Sequence, residues 1–206
     1  MSDLRTEIRT VADAAVLEAG VRAAAARTIQ RLQSLLATTN PLDALARLRF
    51  EPMGHHPIHG RALNVVEQLN QTFTCLASSR AAAWILTRHP ECSPLRLNLG
   101  TAPGSDIEAV DGSLVAETFA AVTPPNNDKL RRDIPKAAQT MARLKYVFYL
   151  CPQHEPSEPS PARESPDVKV VSLGWVSTAA APPSNAPPAA IVSLAEGDAG
   201  GFTSHD

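Results

Sequence analysis

Two acidic residues, Asp106 and Glu117, lie in a short segment whose spacing predicts a β-hairpin. The dipeptide Asp111-Gly112 separates two runs of strand-forming residues and is typical of a two-residue hairpin loop. Such a loop fixes the register of the strands, and this register places Asp106 directly opposite Glu117 on one face. Glu108 lies two residues along that face. The hairpin is therefore predicted to collect carboxylates on one side of a sheet.

Opposed carboxylates repel each other, and the cost of this repulsion suggests a bound cation. Directly opposed Cβ atoms lie about 5 Å apart, where two like charges repel by roughly 3 kcal/mol at an effective dielectric constant near 20. That is large beside a net domain stability of about 5–15 kcal/mol. Protonation of one acid, a cation such as Mg²⁺, or splaying of both side chains into water would each relieve it. Mg²⁺ binds carboxylate and phosphate oxygens together, which points to phosphoryl chemistry.

The composition of the 206-residue chain is compatible with a phosphate-bearing partner. The net charge is −2, but two of the 19 basic and seven of the 21 acidic residues follow Cys151, so the preceding part carries +3. Three cysteines without a CxxC pair predict free thiols. No apolar run suggests a signal peptide or a membrane partner. The protein is therefore predicted to be soluble and cytoplasmic.

Hydrophobic periodicity divides the chain into an N-terminal helical arm (1–50), an α/β core (51–151) and a Pro-rich tail (152–206). A period near 3.6 over residues 2–38 predicts a long helix, and a shorter helix follows. The arm is expected to pack on the core or to form a homodimer. The tail holds 9 of the 18 prolines and is predicted to be mostly disordered, with an edge strand at 168–176.

Within the core, changes in the hydrophobic period predict two helices and four strands. The expected elements are a helix over about 60–88, strands at 95–99, 106–110 and 113–122, a helix over about 128–144 and a strand at 145–150. The predicted fold class is α/β (α+β), in the order helix, strand, strand, strand, helix, strand.

This order and these acids resemble the PD-(D/E)xK (restriction-endonuclease-like) nuclease superfamily over residues 60–151. Asp106 in Gly-Ser-Asp-Ile-Glu matches the acid that opens the family's second strand, and Glu117 in Val-Ala-Glu-Thr-Phe matches the acid on its third. Glu67 fits the acid that many members carry on the first core helix. The resemblance implies a restriction-endonuclease-like core and Mg²⁺- or Mn²⁺-dependent phosphodiester hydrolysis, with these three acids as metal ligands. It also implies a nucleic-acid partner, with DNA favoured over RNA.

The sequence departs from the family at the catalytic lysine, whose position is occupied by Phe119. Two interpretations follow. The cation has moved to the next helix, where Lys129 lies in the first turn, or the domain is a degenerate nuclease that binds nucleic acid or protein. Arg131, Arg132 and Lys136 on the same helix are expected either to contact phosphates or to form a solvated face.

Other residues capable of chemistry have structural alternatives. His55, His56 and His59 form a compact group that either holds a transition metal or belongs to a polar loop bordering the site. Cys75 is expected to be a buried small side chain rather than a nucleophile.

Overall fold

Within the residues that the computed structural model describes (5–99, 103–123 and 128–175), a seven-stranded mixed sheet carries helices on both faces. The helices are α1 (Val11–Thr38), α2 (Pro41–Phe50), α3 (Val65–Arg88) and α4 (Lys129–Ala138). The strands are β1 (Arg5–Ile8), β2 (Gly54–His55), β3 (Ala62–Leu63), β4 (Leu95–Asn98), β5 (Ile107–Ala109), β6 (Leu114–Ala120), β7 (Leu144–Leu150), β8 (Ser160–Ala162) and β9 (Ser165–Ser172). Their order across the sheet is β1-β4-β5-β6-β7-β9-β8, and β2 pairs with β3 in a separate hairpin.

The sheet changes from antiparallel to parallel pairing at β6. Strands β1, β4, β5 and β6 are antiparallel neighbours, whereas β7 runs parallel to β6 because α4 carries the chain back across the sheet. From α3 to β7 the main elements follow the predicted order of helix, three strands, helix and strand. The mixed α/β class predicted from the sequence is confirmed.

Both faces of β6 are covered, which explains why this strand is buried along most of its length. Leu114 and Ala116 belong to the larger core between the sheet and the helices α1 and α3. Phe119 lies on the other face, in a smaller core with Ala137 of α4 and Val147 of β7. The alternation along β6 therefore directs Glu117, like Phe119, toward α4.

The predicted helix over residues 2–38 is wrong at its start, because residues 5–8 form the edge strand β1. Arg5 pairs with Asn98 and Ile8 with Leu95 in an antiparallel ladder. The helix begins only after Thr10, whose side-chain oxygen accepts a hydrogen bond from the Asp13 N–H, and the Asp13 carboxylate accepts one from the Thr10 N–H. This capping box sets the boundary that periodicity alone missed.

The N-terminal helices pack on the core. Helix α1 lies against α3 and buries Val21 and Leu35, and Glu18 bridges to Arg80 at 3.2 Å. Residues up to Trp175 accordingly form one compact unit rather than an arm and a core. Several large apolar side chains of α1 and α2 remain exposed: Val16, Ile29, Leu36, Leu42, Leu45 and Phe50. The homodimer through these helices stays a prediction.

The two core helices are shorter than predicted. Helix α3 begins after Asn64, whose capping box with Glu67 follows the β2–β3 hairpin. Helix α4 continues through Pro135 but ends at Ala138, because residues from Leu144 already pair with β6. No helix within the described ranges combines the length and the apolar character that a bilayer crossing requires.

The predicted boundary of the tail at residue 152 is also wrong. Strand β9 pairs in parallel with β7 and in antiparallel with β8, so it lies inside the sheet rather than at its edge. The Pro-rich composition concealed these strands because Pro161 lies in the edge strand β8, where a missing N–H donor is tolerated. Residues 176–206 lie outside the described residues.

A chain that ends at Cys151 is expected to lose most of its cooperative stability. The truncation removes Val168 and Val171, both fully buried, and each buried valine contributes about 1.5–3 kcal/mol. Together these losses are a large part of a net stability of about 5–15 kcal/mol. Thermal unfolding followed by circular dichroism measures the effect. Unfolding of the truncated and full chains at the same temperature would show instead that the residues after 151 are dispensable.

Candidate active site

The hairpin forms in the predicted register. Ile107 pairs with Ala116 and Glu108 with Val115, and this register, continued to Asp106 immediately before β5, places Asp106 opposite Glu117. Gly112 adopts a φ of 77°, which glycine tolerates without strain, and the Asp111 carboxylate accepts a hydrogen bond from the Ser113 N–H at 2.9 Å. The loop chemistry that predicted the hairpin therefore also closes it.

Asp106 is held against β6 by backbone and side-chain contacts. Its Oδ2 accepts a hydrogen bond from the Thr118 N–H at 2.8 Å and lies 3.4 Å from the Thr118 hydroxyl. That hydroxyl also contacts the Ser78 hydroxyl of α3 at 2.8 Å. The carboxylate is thus fixed by the strand that carries Glu117, and this strand is tied to the helix behind it.

Glu117 is fully buried, with 0% of its side chain exposed. Its Oε2 accepts a hydrogen bond from Lys136 Nζ at 2.7 Å, while Oε1 has no hydrogen-bond partner among the described residues. Burial raises the pKa of Glu117 to about 7, because it outweighs the hydrogen bond from Lys136. The charge of Asp106 raises this pKa further, and the nearby Ser105 side chain lowers it. Glu117 therefore changes protonation near neutral pH.

A second ion pair lies on the same helix. Lys129 Nζ donates to Asp133 Oδ1 at 2.7 Å, and Asp133 is buried with its Oδ2 unpartnered among the described residues. Burial raises the pKa of Asp133, Lys129 opposes this, and the charge of Asp106 raises it further. Three carboxylates and two lysines therefore influence one another at this site.

The unpartnered oxygen of Glu117 fits an oxygen-binding divalent cation better than it fits a closed ion pair. A buried carboxylate oxygen without a donor is costly, and Mg²⁺ is commonly bound by one or two carboxylates with water completing its shell. Among the described residues, no group of three His, Cys, Asp or Glu side chains has an arrangement that holds a metal ion. A cation at this place would have Asp106 and Glu117 as its carboxylate ligands.

Phe119 takes no part in this cluster. Its ring is buried in the smaller core and stacks with Tyr149 at a centroid distance of 6.0 Å. The cation beside Glu117 comes instead from Lys136, for which the sequence suggested either a phosphate contact or a solvated helix face. Lys136 follows Lys129 by seven residues and so lies on the same face of α4, which is the signal that could have identified it.

Glu67 lies at the start of α3 and caps its own helix. Its Oε2 accepts from the Asn64 N–H at 3.3 Å, and its backbone N–H donates to Asn64 Oδ1 at 2.9 Å. The cavity beside Asp106 is lined from α3 by Asn70, Phe73 and Thr74 among others, not by Glu67. The structure therefore does not bring Glu67 together with the opposed pair.

The histidine group is occupied by protein contacts. His56 Nδ1 accepts from the Ile58 and His59 N–H groups, and its Nε2 lies 3.2 Å from Gln71 Oε1. Burial lowers the pKa of His56, and the neighbouring His59 lowers it further. His55 contacts Arg31 of α1 at 3.4 Å. These rings thus form part of the packing of the β2–β3 hairpin.

The three cysteines are free, as predicted, and all three are buried, which was predicted for Cys75. Burial raises the pKa of the Cys75 thiol to about 12. Because the thiolate is the reactive form, Cys75 is protonated and inert at neutral pH.

A cavity of about 830 Å³ lies on one side of the cluster, with Asp106 and Lys129 in its wall. A smaller cavity of about 420 Å³ has Lys136, Ser105 and Glu108 in its wall. Glu117 lines neither. Access to this carboxylate therefore requires movement of the side chain above it, and Lys136, which is 46% exposed, is the group best placed to move.

Known proteins supply no template for this site, since no protein-family model, curated protein or solved structure matches the chain. Its chemistry follows from the groups that it assembles. A carboxylate anchored to a strand lies opposite a buried carboxyl group of raised pKa, and a lysine ammonium bridges the second to solvent. These groups can bind a cation, exchange a proton near neutral pH and place a positive charge beside an anion.

Replacement of Glu117 by glutamine is expected to change the dependence of stability on pH. Because the pKa of Glu117 is raised from 4.5 to about 7 in the folded state, its contribution is fully present below about pH 4.5 and is lost as the pH rises through 7. The loss in wild type relative to Glu117→Gln is about 3 kcal/mol, since one pKa unit corresponds to about 1.4 kcal/mol. Denaturant unfolding of both proteins between about pH 4 and pH 8 measures it.

Asp133, whose pKa is also raised, is present in both proteins and contributes to both curves. Parallel stability curves over this range would mean that Glu117 is ionised throughout.

Proposed function

We propose that this protein is a metal-dependent phosphodiester hydrolase built on a restriction-endonuclease-like core. The observation that carries the proposal is the placement of Asp106 opposite Glu117 with Lys136 Nζ 2.7 Å from the Glu117 carboxylate. An acid opening one strand, an acid on the next and a nearby ammonium make up the set that the nuclease superfamily uses. Here the lysine comes from α4 instead of the strand.

The ligands of a bound Mg²⁺ or Mn²⁺ would be the Asp106 carboxylate and the unpartnered Oε1 of Glu117. When bound, the cation would supply an acidified water and neutralise phosphate charge. The chain's own contribution is a rigid pair of ligands, because Asp106 is anchored to Thr118 and Glu117 is buried between sheet and helix. Glu67, which caps α3, would contribute to this site only if its capping contact were broken.

Lys136 is proposed to position the attacking water and to stabilise the charge that develops on the phosphorus oxygens. Its side chain is long and partly exposed, so it can turn from Glu117 toward a phosphate without disturbing α4. Lys129, two turns before Lys136 on α4, is a second cation near the site, but it is hydrogen-bonded to Asp133. We therefore assign Lys136 the role that the sequence suggested for Lys129.

The exposed side of α4 favours a nucleic acid as the substrate. Arg131 and Arg132 are exposed beside the two lysines, which gives ten helical residues four basic groups. Such a cluster binds phosphates without reading sequence. DNA is proposed ahead of RNA, as expected from the superfamily.

A binding module without catalysis is the alternative, and one observation favours it. Glu117 has no exposed surface and is closed off by its ion pair with Lys136. In this alternative the ammonium of Lys136 would only compensate the buried charge of Glu117. Helix α4 would bind nucleic acid or protein through its basic face.

Mg²⁺ or Mn²⁺ is expected to raise the unfolding temperature of the wild type but not of Asp106→Asn. A ligand at a hundred times its dissociation constant stabilises the folded state by about 2.7 kcal/mol. Asparagine keeps the acceptor for the Thr118 N–H while removing the charge. Asp167→Asn serves as the matched control, because Asp167 pairs with Lys145 away from the site. Equal shifts in wild type and Asp106→Asn would place any bound cation elsewhere.

Replacement of Lys136 by methionine is expected to reduce cleavage of DNA in Mn²⁺ by about 100-fold or more, the usual effect of removing one charge-stabilising donor. Lys136→Arg should recover part of the activity, because it restores the positive charge. Lys129→Met is expected to have a smaller effect. Lys169→Met, on β9, is the control. The assay follows single-stranded and plasmid DNA on gels, with circular dichroism to verify folding.

An unchanged rate in Lys136→Met would refute the assignment of this lysine. Binding of DNA by the wild type with no cleavage in either metal would favour the binding module.

A further inference from the structure

The cavity of about 830 Å³ beside Asp106 has the size of a ligand site and lies next to the proposed centre of hydrolysis. It is bounded by one side of α3, the end of β6, the first turn of α4 and the segment around Trp175. Asp106 and Lys129 belong to its wall, so a molecule bound here touches the carboxylate cluster directly. The site described above makes no use of the rest of this cavity.

Two aromatic rings give the cavity flat apolar surfaces. Phe73 of α3 and Trp175 lie with their ring centroids 5.8 Å apart and their planes inclined at 49°. Trp175 is 41% exposed, although an indole of this size is normally well buried. Exposed aromatic faces at the edge of a cavity are typical platforms for stacking nucleobases.

Polar groups in the wall match the other parts of a nucleotide. Asn70, Thr74 and Gln153 offer donors and acceptors to the edge of a base. Lys129 and Arg132 contribute positive charge at the α4 side of the cavity, where a phosphate of the same nucleotide would lie. Stacking surfaces, base-edge partners and cations thus occur together beside Asp106.

We propose that this cavity binds an unpaired nucleobase, so that the substrate of the carboxylate site is a single-stranded nucleic acid. A base inside a duplex is stacked and paired, and extracting it costs a few kcal/mol. A single strand presents its bases freely to Phe73 and Trp175. Its backbone then runs along the basic side of α4 and brings the neighbouring phosphodiester to Asp106. Cleavage of the phosphodiester in this inference rests on the proposed function, whereas binding of the base does not.

Tryptophan fluorescence tests the proposal directly, because the chain has two tryptophans and Trp84 can be replaced. Trp84 packs against Tyr146 and Phe148, so Trp84→Phe keeps an aromatic ring in the core and leaves Trp175 as the reporter. The probes are a thymidine oligonucleotide of about eight residues, an abasic strand of the same length, a blunt duplex and free thymidine monophosphate. EDTA prevents cleavage during the titration.

The single strand is expected to quench Trp175 emission, whereas the abasic strand and the duplex leave it unchanged. Phe73→Leu in the same background should weaken binding of the single strand at least about fivefold, the lower end of what one stacked base contributes. Phe50→Leu is the matched control, because Phe50 is 78% exposed on α2 outside the cavity. Circular dichroism of each variant verifies folding.

Equal affinity for the strand and its abasic analogue would overturn the proposal, as would unchanged affinity in a folded Phe73→Leu variant. Binding of the free nucleotide as tightly as the strand would overturn the assignment of a strand as ligand. The test is separable from that of hydrolysis. Base-dependent quenching without cleavage would support base binding in the cavity and contradict the proposed hydrolase. Cleavage of duplex DNA without base-dependent quenching would support the hydrolase and contradict base binding.

Discussion

Glu117 is a carboxylate enclosed between the sheet and α4, and the surrounding structure has to compensate for it. Removing an ion from water costs several kcal/mol even after relaxation, and Lys136 offsets only part of that cost, as the raised pKa of Glu117 shows. The compensation also fixes geometry, because Lys136 reaches Glu117 only if α4 crosses directly over β6. An apolar side chain would fill the same place at lower cost in free energy. The Glu117–Lys136 ion pair is therefore weak evidence of a stabilising role and better evidence of a functional one.

The constraint extends to both layers of the fold through β6. On the α4 face, Phe119 and Ala137 pack beside the ion pair and keep the helix close to the strand. On the opposite face, the Thr118 hydroxyl contacts Ser78 of α3. The backbone N–H of Thr118 holds the Asp106 carboxylate. Three consecutive residues of one strand thus connect the carboxylate pair to two helices. A site supported in this way is preorganised, as ligand geometry for a cation requires.

The parts of the site that depend on local chain geometry could be predicted, and those that depend on packing could not. Asp111-Gly112 fixed a register over a few residues, so the opposition of Asp106 and Glu117 followed from spacing. The spacing of Lys129 and Lys136 places them on one face of α4, but the contact of Lys136 with Glu117 depends on how α4 is rotated above the sheet, which this spacing does not determine.

The errors in the fold have the same origin. The four residues of β1 satisfy helical and strand periods alike, and only pairing with β4 decides between them. Strand β9 was assigned to the sheet edge because composition suggested a tail, whereas β8 pairs along its outer side. Glu67 matches the sequence position of a metal ligand and of a helix cap equally well, and the Asn64 backbone selects the cap.

Because the pKa of Glu117 lies near 7, the negative charge of this carboxylate can be removed or balanced in more than one way. The buried oxygens of Glu117 can be compensated by the Lys136 ammonium, by a proton or by a divalent cation, and these compete for one carboxylate. When Lys136 turns toward a phosphate, Glu117 is left buried without its partner, which is costly unless a cation or a proton replaces the ammonium. Movement of Lys136 away from Glu117 and binding of a cation at Glu117 would therefore favour each other. Under the proposed function, a substrate phosphate that attracted Lys136 would therefore favour a cation at Glu117.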